Sequence, residues 1–161
     1  MVDARQLRRL IAYNQWANDR VLAAIEGLSP AELEQPREAY FGSLASNLWH
    51  LLIVQRLWLA RWKGGALPSV EQPASPAWRA DFAASDAALR EYVAGLAEAD
   101  LERVVRYTPR SGVPRAQPLD QLIVHLVNHG TAHRAETGLL LERLGRSPGD
   151  LDYTVFMHEV P

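Results

Sequence analysis

His129 and His133 stand four residues apart in the segment His125-Leu126-Val127-Asn128-His129-Gly130-Thr131-Ala132-His133-Arg134-Ala135-Glu136. On a helix, residues at that spacing differ by about 40° in direction and one turn in height, so both imidazoles can point the same way and share one divalent metal ion. They fall among Leu119, Leu122, Leu126, Leu140 and Leu144, the stripe expected to face a core. An unpaired polar group buried there costs on the order of 1–3 kcal/mol, and a shared metal would satisfy both rings together. Ordinary hydrogen bonds can meet the same need, and the glutamate that follows the first histidine in zinc proteases is missing. His50 supplies a third candidate ligand from another strongly apolar helix, beside Val54 and Leu57 at the edge of the apolar arc. His125, one turn before His129, drifts toward the polar edge and reads as a neighbour of the site or a structural residue. His158 reads as surface.

Two further polar residues interrupt an apolar stripe. Asn14 and Asn18 occupy positions of the first helix where leucines are expected. They either tie helices together or line a polar pocket beside the metal. Asn47, Asn128 and Glu136 lie close in sequence to the histidines and can hold imidazole tautomers in place. Trp16, Trp49, Trp58, Trp62 and Trp78 read as packing residues.

Four long helical patterns must carry these groups. The first runs from Asp3 to about Glu26, before Gly27, with Leu7, Leu10, Ile11, Val21 and Ile25 at helical spacing. Ser29-Pro30-Ala31-Glu32 forms a capping box that opens a short helix. The second long pattern starts near Ser43, ends at Gly64-Gly65 and is apolar enough to be central. A loop with Pro68 and Pro73 follows, then a more polar helix from Ser75-Pro76 to about Ala97. From Asp100 to Gln117 the helical rhythm fails, and Val104, Arg106 and the Ser111-Gly112 turn suggest an extended excursion or small hairpin. Pro118 opens the last long helix, which continues to Leu144, and 150–159 can form a short terminal helix. The expected fold is all-α, a four-helix bundle with one long connection and short extra helices, as a single domain over 1–161.

The chain has 161 residues, 48% of them apolar, enough for one sizeable core. Its net charge of −2 comes without blocks of one sign, which argues against nucleic-acid binding. The absence of cysteine excludes disulfides, thiolate metal sites and a cysteine nucleophile. No apolar run approaches the ~18 residues of a membrane span, and Met1-Val2-Asp3-Ala4-Arg5 lacks an apolar signal core. The expectation is a cytoplasmic protein with no membrane or nucleic-acid partner, acting on a small molecule, with a homodimer left open.

Over nearly its whole length the sequence resembles the DinB family, also described as DinB/YfiT-like metalloenzymes. The resemblance rests on Tyr13-Asn14-Gln15-Trp16-Ala17-Asn18, Leu48-Trp49-His50 with Trp58-Leu59-Ala60-Arg61, His125-Leu126-Val127-Asn128-His129 followed by His133-Arg134, and Leu151-Asp152-Tyr153 with Glu159. It implies a four-helix bundle that binds a divalent metal, often zinc or nickel, through three histidines, which fall here on His50, His129 and His133. Activities it implies include metal-dependent transfer of a low-molecular-weight thiol, thiol-assisted isomerisation and hydrolysis. Where the family frequently has His-Arg-Gly-Gln, this chain has His133-Arg134-Ala135-Glu136.

Three neutral imidazoles leave a metal its full charge and an open position, the arrangement of catalytic rather than structural zinc. Such a centre activates either water, giving a hydrolase, or a thiol, giving a thiol transferase; lacking cysteine, this chain would take its sulfur from a cosubstrate. Thiol transfer to a small electrophile is favoured, with Glu136, Asn14 and Asn18 as the expected catalytic residues around the metal. A non-catalytic metal-binding bundle with a stress-response role and a structural helical dimer are the alternatives.

Overall fold

The computed structural model describes residues 2–38, 40–109 and 111–160; the ends of the expected domain, Met1 and Pro161, lie outside them. The four long helices are α1 (Ala4–Ala24), α3 (Leu44–Lys63), α4 (Trp78–Ala94) and α6 (Leu119–Glu142). Among the described residues three short helices accompany them: α2 (Pro30–Glu34), α5 (Glu98–Leu101) and α7 (Tyr153–Glu159). Strands β1 (Val104–Tyr107) and β2 (Arg115–Pro118) form an antiparallel hairpin in which Val104 faces Pro118 and Tyr107 faces Arg115.

Local chemistry explains most of the boundaries. Asp3 caps α1 by accepting from the Gln6 N–H, and Ser43 caps α3 by accepting from that of Ser46. Ser29 and Glu32 close the reciprocal capping box on α2. At the end of α3, Gly64 adopts φ 65° and its N–H reaches back to the carbonyls of Ala60 and Arg61, a stop that residues with a Cβ adopt only at a cost. The third long helix begins at Trp78, later than the Ser75-Pro76 signal suggests, because Asp81 receives the N–H of Ala77 at the entry. The last long helix ends at Glu142, with Gly145 in a left-handed turn just beyond it. The predicted excursion is the hairpin, preceded by the unforeseen α5, which buries only Leu101.

Helices α1 and α3 each pack against both α4 and α6. Two apolar clusters fill the bundle. One takes Leu7 and Ile11 of α1, Trp58 and Trp62 of α3, Leu89 and Val93 of α4, and Leu119, Leu122 and Leu126 of α6. The other takes Val21 and Leu22, Leu44, Leu48 and Leu52, Phe82, and Leu140 and Leu141. The first cluster thus collects the N-terminal halves of α1 and α6 with the C-terminal halves of α3 and α4. It follows that α1 and α6 run one way and α3 and α4 the other, so the parallel pair α3–α4 requires the long connection over residues 64–77. Between the clusters, every long helix contributes polar side chains: Asn14 and Asn18, Gln55, Ser85 and Asp86, and Arg134 are all buried. Among the described residues, no helix is long and apolar enough to cross a membrane.

Candidate metal centre

His50 comes from the middle of α3, and His129 and His133 from successive turns of α6, the neighbouring helix. One potential ligand atom from each of the three rings lies within 4.8 Å of the other two. The His50 and His129 Nε2 atoms are 3.0 Å apart. Two imidazole nitrogens bound tetrahedrally to zinc are separated by about 3.3 Å, so this spacing needs only a small adjustment to admit an ion. All three rings are half-buried.

The electrostatics favour the ligand form. Burial, followed by the neighbouring His133, pulls the His50 pKa down to about 4. Burial, then His133, His50 and His125, does the same for His129, also to about 4. Both rings are neutral near pH 7, with lone pairs free to bind a metal. A hydrogen bond between His50 and His129 can satisfy one donor and one acceptor, which leaves His133 out. A cation at the centre satisfies all three, and the triad can hold a metal ion.

The surroundings of the triad come from an unexpected segment. The loop before α3 lays the Phe41 ring on His50, with centroids 4.1 Å apart and planes at 26°, and brings it within 5.3 Å of His133. Next to it, the Tyr40 N–H donates to Glu136 Oε1 at 2.6 Å. The other carboxylate oxygen, Oε2, lies 3.7 Å from His133 Nδ1. Glu136 therefore places a carboxylate oxygen beside the Nδ1 edge of the His133 ring, at the border of the triad. Neither Tyr40 nor Phe41 carries a sequence signal, since both sit in a loop without periodicity.

The other expected site residues are distributed differently. His125 is exposed and stacks with His129 at 5.8 Å while meeting Trp58 edge-on, so it borders the site without joining the ligand group. Asn128 is exposed, and Asn47 is buried with neither amide atom partnered among the described residues. Asn14 and Asn18 are 1% exposed and bond to Gln55, Asp86 and Arg134 in the bundle interior. Among the described residues, none of their hydrogen bonds reaches an imidazole. Gln55, Asp86 and Arg134 were not legible as buried, because single polar residues on amphipathic helices read as solvent-facing.

A DinB family model matches residues 1–160. Protein DinB of Bacillus subtilis (strain 168) is 25% identical over 159 residues, covering 92% of each chain. The crystal structure of a DinB-like protein from Bacillus cereus ATCC 10987 matches with a TM-score of 0.73 at 16% identity, over 91% of this chain and 95% of that one; at that identity the likeness speaks to the fold. With the family match running through both the helix that bears His50 and the helix that bears His129 and His133, the chain belongs to the DinB family.

Proposed function

We propose that this protein is a metal-dependent enzyme that transfers a low-molecular-weight thiol to a small electrophile, using zinc or nickel held by His50, His129 and His133. The observation that carries the reading is the convergence of three side chains, neutral at pH 7 for at least His50 and His129, with no carboxylate in the ligand group among the described residues. An ion so held would supply Lewis acidity at an open coordination position. Sulfur comes from the cosubstrate, because the chain has no cysteine. In the reaction a carbon–sulfur bond forms, the bond to the leaving group breaks, and the thiol proton departs.

Glu136 is the proposed acceptor of that proton. Its side chain is 25% exposed, and Oε2 is free of the Tyr40 N–H that occupies Oε1. Phe41 supplies an apolar wall next to His50, suited to the body of an uncharged electrophile. The test is to incubate the metal-replete protein with reduced thiols and a panel of small electrophiles and to follow thiol loss. Metal-dependent thiol consumption that disappears in His133→Ala supports the reading. Ester or amide hydrolysis without thiol consumption would assign the site to water, and neither reaction would assign it to metal binding alone.

A further inference from the structure

The buried polar network between the two apolar clusters has no part in the chemistry above, and it spans all four long helices. Its cation is Arg134, the residue after His133, which is 1% exposed. Successive helical residues point about 100° apart, so Arg134 enters the bundle axis while His133 faces α3. Arg134 Nη1 donates to Asn14 Oδ1 at 2.7 Å and to Asn18 Oδ1 at 3.0 Å. Both asparagine amides then donate to Gln55 Oε1, at 2.8 and 2.9 Å. Gln55 Nε2 donates to Ser85 Oγ and to Asp86 Oδ1, each at 3.1 Å, and Asn18 Nδ2 also reaches Asp86 Oδ1 at 3.2 Å.

The chain of bonds has one direction. A guanidinium only donates and a carboxylate only accepts, so Arg134 at one end and Asp86 at the other dictate which way each amide turns. Apolar packing tolerates rotation and sliding of a helix, whereas a network with fixed polarity does not. Burying charges in this way adds little net stability, and its best-attested use is to specify register. Arg134 Nε, which has no partner among the described residues, points the same way, since the network is not optimised for satisfaction.

Gly130 links the network to the ligands. A Cβ there would lie 2.7 Å from Arg134 Nη1 and 2.9 Å from Asn14 Oδ1. The α6 backbone beside His129 thus presses directly on the bond that joins α6 to α1.

We propose that this network sets the rotation of α6 within the bundle and so brings His129 and His133 to His50, with Arg134 as the positioning residue. Asn14 and Asn18 thereby act on the histidines through Arg134. The proposal rests on the metal-site reading for its consequence, but it concerns geometry and can be tested apart from it.

The experiment uses the full chain with Gly130→Ala, Arg134→Lys and, as a control for destabilisation alone, Leu101→Ala, whose buried side chain lies in neither the network nor the triad. Cobalt(II) is the metal probe, read by its visible absorption and its affinity at a temperature where each variant is folded. In the chelated protein, NMR cross-relaxation between the His50 and His129 rings, whose centroids are 5.1 Å apart, gives a metal-free readout. The expected result is that Gly130→Ala and Arg134→Lys weaken cobalt binding about tenfold or more, change its absorption and lose the ring-to-ring signal. Leu101→Ala lowers Tm and changes none of these. Gly130→Ala and Arg134→Lys that keep the ring-to-ring signal would overturn the proposal. Wild-type protein that binds no cobalt would overturn the metal reading, while the ring-to-ring signal would still decide the positioning claim.

Discussion

His50 and His129 meet with their Nε2 atoms 3.0 Å apart across 79 residues of sequence. His125 stacks on His129 and lies outside the group of ligand atoms. Replacing His50, His129 or His133 by alanine should therefore cost at least about a hundredfold in zinc affinity, beyond the usual effect of losing a residue that only supports a ligand. His125→Ala should stay within about tenfold of wild type. Competition titrations against a chromophoric chelator will show the ranking, and equal losses in all four variants would contradict the ligand assignment.

The chelated protein should lose stability as pH falls from about 6.5 to about 4. In the unfolded chain both imidazoles gain protons near 6.5, whereas in the folded chain His50 and His129 resist until about 4. In that window the unfolded chain binds more protons, so acid favours unfolding. Asp86 acts in the opposite sense. Burial lifts its pKa from 3.8 to about 6, so the folded chain holds that proton more tightly and acid relieves the cost of its buried charge. Two histidines outweigh one carboxyl, and the net slope is a loss. Asp86→Asn removes the opposing contribution and should steepen it. Thermal melts in chelator across this range read both slopes.

Phe41 covers His50 at stacking distance, and burial is the largest cause of that ring's low pKa. Phe41→Ala should move the His50 pKa upward toward 6.5 in the chelated protein and leave His125 unchanged. NMR titration of the ring protons measures both. An unmoved His50 would mean that its burial comes from α3 and α6 alone.

The helices and the three histidines that converge were legible because each leaves a local trace. Periodic leucines mark α3 and α6, Ser43 and Gly64 mark the bounds of α3, and the four-residue spacing of His129 and His133 sets them on one face. Asn14 and Asn18 were legible as an anomaly in the stripe of α1. Their partners were not, since Arg134 follows a histidine on a helix and Asp86 sits among alanines on a polar one, and each reads as surface until the opposing helix is known. Phe41 and Tyr40 escaped for a different reason. A loop residue acquires its place from the chain's return path, and no spacing rule reports that.

Glu136 makes two contacts that can be separated by substitution. Glu136→Gln keeps an acceptor for the Tyr40 N–H but removes the negative charge beside His133. Zinc affinity should fall about tenfold in Glu136→Ala and less in Glu136→Gln. If the carboxylate also takes up the thiol proton, Glu136→Gln lowers kcat with metal fully bound, whereas full activity would restrict Glu136 to holding His133.

The central claim is a single divalent ion bound by three histidines with a position left open. X-ray absorption at the zinc edge tests it most directly, on protein purified without a histidine tag and loaded with one equivalent of zinc. The account predicts three imidazoles at about 2.0–2.1 Å together with at least one further oxygen from solvent. Two imidazoles, or four protein ligands and no solvent position, would contradict it.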